Sequence, residues 1–204
     1  PPYLGSNGRA QFRIYPEWKK DEIYCHSTTK LAPALTLKSR LWYDTFDNTL
    51  DSYDDFTYST QKGKQGWTSI YNDYALGANA NLVWATSDSN DLKVGANNKY
   101  DVHRSHNVGE PVAHISEGIY SFAVEDEARL SPQLSATASV GWFARQGYKI
   151  EEYNAKRGLA EMPNSHDGNV NALAAIDYHP SALHHFRFTV SRSSLFARMT
   201  DRYS

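Results

Sequence analysis

Long hydrophobic runs are missing from this chain: no stretch approaches the roughly 18 to 20 consecutive apolar residues of a transmembrane helix. Cysteine is almost missing as well. Cys25 stands alone, which excludes an intrachain disulfide and says little about compartment. Neither sign of charge is in excess, since 21 Lys and Arg face 23 Asp and Glu, so there is no basic footprint for nucleic acid. Helix-period apolar segments are absent, as is any repeat beyond alternating hairpins. No G-x-S-x-G, H-E-x-x-H or nucleotide-phosphate loop occurs, and Cys25 has no evident activating partner, so the chain reads as not an enzyme. The chain starts at Pro1 with neither an initiator Met nor a basic, apolar leader, and so reads as a processed or excised piece.

What is present is alternation. Tyr74, Leu76, Ala78, Ala80, Leu82 and Trp84 share one face, opposite Asp73, Ala75, Gly77, Asn79, Asn81 and Val83. A period of two is a strand, because successive strand side chains point to opposite faces. This strand is longer than the five or six residues typical of soluble sheets. Ten residues separate Tyr74 from Trp84; at about 3.3 Å per residue and a tilt near 40°, they lie roughly 25 Å apart along a barrel axis. That is the height of the apolar band between the aromatic girdles of an outer-membrane barrel. A negative mean hydropathy does not argue against this, since only alternate residues of a barrel strand meet lipid.

The pattern recurs. Leu35, Leu37, Leu41 and Tyr43 oppose Thr36, Lys38, Arg40 and Asp44. Further apolar faces are Leu92, Val94, Ala96, Tyr100 and Val102; Tyr120, Phe122 and Val124; Leu134, Ala136, Ala138, Val140, Trp142 and Ala144; Val170 to Tyr178; and Phe186, Phe188 and Val190. Two weaker runs, near residues 11–18 and 22–29, bring the expected strands to about nine. Short turns fall at 30–34 (KLAPA), 86–90 (TSDSN), 130–133 (LSPQ) and 179–182 (HPSA), and long polar connections at 47–72, 104–116 and about 151–168. Short turns at one end and long loops at the other match the periplasmic and extracellular ends of an outer-membrane barrel. A soluble sandwich or lipocalin-like barrel shares the alternation, but a dry core could not hold so many Asn, Lys, Glu and Arg unpaired. The expected fold is all-β: an antiparallel up-and-down meander of long strands, part of a transmembrane β-barrel, with its apolar face convex and towards lipid.

The segments LWYDTFDNTLDSYDDFTYST (41–60), TSIYNDYALGANANLVW (68–84), YDVHRSHNVGEPVAH (100–114) and the closing DRYS (201–204) resemble the barrel of TonB-dependent outer-membrane receptors, in the cobalamin- and siderophore-receptor branch. The resemblance runs from about residue 35 to the end. It implies a bacterial outer-membrane location and energised uptake of a metal chelate (siderophore-iron, haem) or cobalamin, captured by extracellular loops. It also implies outer-membrane lipid and the TonB energy-coupling complex as partners, the latter through a plug domain. Such receptors have twenty-two strands and an N-terminal plug with a coupling box. This chain shows no plug, no coupling box and no terminal strand ending in an aromatic, and SLFARMT precedes DRYS where a proline is expected. The whole of 1–204 therefore reads as an internal barrel fragment, unable to perform energised transport as it stands. A small passive outer-membrane barrel and a soluble β-barrel binding protein are the alternative functions.

Candidate binding residues gather in the polar connections. Asp44, Asp47, Asp51, Asp54 and Asp55 are interleaved with Tyr43, Tyr53 and Tyr58. Carboxylate-rich loops suit hard cations, although this spacing is not an EF-hand. The resemblance implies calcium as an ordering ion for such loops; no other cofactor is expected. His103 and His106 form an incomplete metal pair, to which His114 could add a third ligand, unless it stacks on an aromatic substrate. His184 and His185 are adjacent in a strand, point to opposite faces and cannot chelate together.

Overall fold

The computed structural model describes residues 3, 4 and 10–196; the DRYS segment lies outside them. The described chain forms one antiparallel sheet. Its strands are β1 (Tyr3–Leu4), β2 (Ala10–Ala32), β3 (Leu35–Tyr53), β4 (Trp67–Ser87), β5 (Asn90–Asn107), β6 (Ala113–Ser131), β7 (Leu134–Asn154), β8 (Gly158–Glu161), β9 (His166–Ser181) and β10 (His184–Arg192). Each long strand pairs with its predecessor and successor along the path β1 to β7, then β9 and β10, while β8 pairs with β7. This is the expected up-and-down meander.

The four expected turns close the hairpins with two residues each: Pro33–Ala34, Asp88–Ser89, Pro132–Gln133 and Ala182–Leu183. All four share a device. Beside each turn the register shifts by one, so the incoming strand carries an extra residue. None of these turns uses a positive φ, which a type I′ hairpin requires; the bulge supplies the twist instead. The amide before the bulge then reaches the preceding turn: Ala85 N–H donates to the Ala34 carbonyl at 2.9 Å, Arg129 to Ser89 and His179 to Gln133 at 2.7 Å. Successive hairpins are thereby clasped along one end of the sheet.

The stagger of those turns sets the tilt. One ladder row runs straight through Leu35, Trp84, Leu92, Asp126, Ala138, Ala174 and Val190. On the outgoing strands β3, β5, β7 and β10 it lies one, three, five and seven residues from the turns at Ala34, Ser89, Gln133 and Leu183. The slip is two residues per hairpin. With about 3.3 Å per residue and 4.8 Å between strands, this is a tilt of about 35°, inside the range of membrane barrels.

The register also brings the apolar faces together. Leu37, Leu82, Val94, Val124, Val140 and Ala172 form another row across six strands. Large side chains on this face are uncovered: Phe122, Val140 and Trp142 are 49%, 52% and 50% exposed. A contiguous apolar sheet face left open in this way requires an apolar surrounding. Tyr residues rim its upper end, with Tyr43 against Tyr74 at 6.2 Å and Tyr100 against Tyr148 at 5.8 Å between ring centroids; the Tyr120 and Tyr148 hydroxyls are hydrogen-bonded. Trp84 and Tyr178 stand at the turn end.

Two expectations are corrected. The runs near 11–18 and 22–29 are one strand, β2. Its register slips between Ile14 and Glu17, around Pro16, which has no amide hydrogen to give the ladder. The slip reverses which parity faces outward, so the alternation is out of phase on either side. The long connections are also shorter than expected: 54–66, 108–112 and 155–165, the last containing β8. Beyond the apolar band both faces are polar, so the period-two signal fades while backbone pairing continues.

Candidate lumen-wall site

The inner face is laced with charge pairs. Arg40 meets Glu22 at 2.8 Å, Lys93 lies 2.9 Å from both Glu125 and Glu127, Arg129 meets Asp91 at 3.0 Å and Lys99 meets Asp101 at 2.8 Å. Strand alternation places all of these opposite the apolar face. A wall of this kind is wet: paired ions this exposed contribute little to stability but keep the face polar.

An aromatic patch is set into that wall on β2 and β3. The Arg40 guanidinium lies between the Tyr24 and Trp42 rings, 5.4 and 5.3 Å from their centroids. Trp42 lies over Gly77, its ladder partner; a Cβ there would stand 2.2 Å from the indole. Gly77 is therefore a slot for the Trp42 ring. Trp18 and Phe46 extend the patch, with centroids 5.2 Å apart.

Next to Phe46 is a cavity of about 350 Å³, lined by Asp44, Phe46, Asp73, Lys99, Asp101 and His103 among others. This is within the size range of small-molecule sites. His103 is oriented: its Nδ1 lies 2.9 Å from the Asp73 carboxylate and its ring rests on Tyr71 at 5.8 Å. Asp73 Oδ1 also accepts the Arg104 amide at 3.1 Å. A carboxylate that fixes an imidazole prepares it as a hydrogen-bonding or ligating group. The arrangement suits a solute with an apolar body and polar or metal-bearing edges.

The residues singled out in the sequence are dispersed. Asp47, Asp51 and Tyr53 belong to β3 and His103 and His106 to β5, so of the expected loop carboxylates only Asp54 and Asp55 lie in a loop. Asp47 accepts from Asn72 at 2.8 Å and Asp51 from the Thr68 hydroxyl. Both are on the outward parity above the apolar band, whereas Asp44 faces the cavity. His103 and His106, three apart on a strand, face opposite sides, and His114 shares the outward parity of His106 through its Arg104 partner. His184 and His185 diverge as expected: His184 bonds Ser181, His185 bonds Asp177. The aromatic patch, Asp73, Lys99 and Asp101 went unassigned. Their signal was in the alternation, since Trp42, Asp44 and Phe46 alternate with Leu41, Tyr43 and Thr45.

Asp54 organises the 54–66 loop. Its carboxylate accepts the Lys62 and Gly63 amides at 2.8 Å each and the Thr60 hydroxyl at 2.9 Å. Tyr58, held at a φ of 52°, packs its ring against Tyr53 and Phe12. The Lys62 amide foremost, with Gly63 and Thr60, holds the Asp54 carboxyl below its ordinary 3.8; the Thr57 hydroxyl and amide do the same for Asp55. A folded pKa below the unfolded one gives stabilisation that is complete above the unfolded value and lost as pH falls through the folded one. Protection of the Lys62 and Gly63 amides, followed by NMR, is expected to collapse with a midpoint below pH 3.8. A midpoint at or above 3.8 would show that Asp54 does not hold the loop.

No family model matches this chain, and no curated protein matches it. Among solved structures it superposes on the copper transporter OprC with a TM-score of 0.76 at 11% identity, over 92% of this chain and 33% of that one. The chain thus spans about a third of the length of the transporter it matches. The likeness establishes the fold: an antiparallel meander of long strands of the outer-membrane barrel kind.

Proposed function

We propose that this chain is one sector of a larger outer-membrane transport barrel in a bacterium, and that its inner wall forms part of the path of a small metal-bearing solute. The observation that carries this reading is the two-faced sheet. An apolar face rimmed by aromatics is backed by an ion-paired face holding an aromatic patch and an oriented His103. The path of the sheet supports a larger barrel, because β10 pairs only with β9 among the described residues. In this reading the apolar face contacts outer-membrane lipid. The solute is a metal chelate (siderophore-iron or haem) or cobalamin, and copper, which the matched transporter carries, joins the candidates. Energy comes from the TonB complex through a plug domain elsewhere in the protein. The work of this sector is binding and passage, with no bond made or broken. Calcium at the outer loops would require rearrangement, because the Asp54 and Asp55 carboxylates are occupied by their own loop.

The test is substrate binding by the full-length protein in detergent, read by tryptophan fluorescence against ferric siderophores, haem, cobalamin and copper. Trp42→Ala and Asp73→Asn are each expected to weaken the solute that binds by about tenfold, equivalent to about 1.4 kcal/mol. Unchanged affinity in both variants would remove the wall from the path.

A further inference from the structure

At the turn end of the same inner wall, far from the His103 cavity, three ligating side chains converge. Asp177 on β9 lies opposite Arg187 on β10, and His179, two residues on, stacks its ring on His185. Asp177 and His179, two apart on one strand, therefore share a face with His185. The register shifts between His184 and Phe186, beside the turn, and the His179 and His185 rings stack across it. The two imidazoles lie with centroids 4.0 Å apart and planes 9° from parallel. His185 Nε2 lies 2.8 Å from Asp177 Oδ1. One ligand atom from each of the three residues falls within 4.8 Å of the others, and among the described residues this is where three such side chains come together. Asp177 is buried while both histidines are exposed, and they line an open cleft of about 460 Å³ with Pro132, Gln133 and His184, whose ring is bonded to Ser181.

We propose that Asp177, His179 and His185 bind a divalent transition-metal ion on the lumen wall near its turn end, independently of what the upper cavity carries. Two imidazoles and one carboxylate are a borderline donor set that suits Zn²⁺, Cu²⁺ or Ni²⁺ rather than calcium or magnesium. A tetrahedral ion holds its donors about 3.3 Å apart, so His185 and Asp177 separate slightly from 2.8 Å while His179 moves in by no more than roughly 1.5 Å, through rotation of exposed rings. The ion takes the place of the proton in the His185–Asp177 hydrogen bond, and that proton leaves to solvent. Three protein ligands leave a coordination position open to water or to a passing ligand. Arg187, 3.1 Å from the second Asp177 oxygen, orients the carboxylate and opposes the incoming cation. The site is therefore tuned for reversible occupancy.

The intact protein, folded in detergent, is titrated with Cu²⁺ alone and with Zn²⁺ alone. The Cu²⁺ electron paramagnetic resonance spectrum is expected to contain one centre with two nitrogen ligands. His179→Gln and His185→Gln each weaken that centre at least tenfold and remove one nitrogen. His184→Gln, on the opposite face, leaves it unchanged. Arg187→Gln tightens binding several-fold, a response that a purely structural Asp177–Arg187 pair would not give. Heat-modified gel mobility identifies any variant that fails to fold, and the wild-type nitrogen count decides the matter in that case. A wild-type protein without a two-nitrogen centre, or one equally sensitive to His184→Gln and His185→Gln, overturns the proposal.

Discussion

Replacing Arg145 with Met is expected to destabilise the barrel wall by about 3–5 kcal/mol, the usual effect of removing one partner from a buried ion pair. The Arg145 side chain is 2% exposed and Glu117, 3.4 Å from it, is 7% exposed. The guanidinium also bonds the Ser165 hydroxyl at 3.1 Å and the Asp167 carboxylate, so one side chain ties β6, β7 and the segment entering β9. Met fills most of the volume but leaves the Glu117 carboxylate in a buried site without that cation. Asp167, half exposed, rehydrates and contributes little. Unfolding by urea in lipid vesicles measures the effect. Adding Glu117→Gln to Arg145→Met should recover much of the loss, because the remaining buried group is then neutral. A loss below about 1 kcal/mol for the single variant would mean that this pair is effectively solvated.

Much of the fold was legible because lipid imposes a regular demand. Where one face must be apolar, alternation is strict, and each run from Leu35 to Val190 became a strand in the expected meander. The four short turns were legible through Pro, Ser, Asp and Asn. Legibility ended where lipid ends. Asp47 and Asp51 were assigned to a loop because both faces are polar there, yet β3 runs on to Tyr53 through backbone pairing that leaves no hydropathy signature. Pro16 hid β2 by reversing the phase of its own strand. The wall site was half legible. The period that placed Leu41 and Tyr43 outward also placed Trp42 and Asp44 inward, but the stacking of Trp42 on Gly77 depends on ladder register, which sequence alternation does not fix. The same limit applies to Asp177, His179 and His185: adjacency ruled out the pair His184 and His185, while the third ligand comes from the neighbouring strand.

One face of this sheet meets hydrocarbon and the other meets water. Ala80 and Asn81 are neighbours in the middle of β4, on opposite faces, and each is exposed. Arg placed at Ala80 stands near the middle of the band, between Tyr74 and Trp84 in sequence, where a cationic side chain costs about 2–4 kcal/mol. Arg placed at Asn81 stands in the wet lumen and should change stability by less than about 0.5 kcal/mol, as surface substitutions usually do. The measurement is the difference in unfolding free energy between the two variants, in lipid vesicles. A penalty of at least 2 kcal/mol at position 80 relative to 81 is the predicted result. Equal effects at the two positions, or a larger one at 81, would mean that the face carrying Ala80 does not meet lipid.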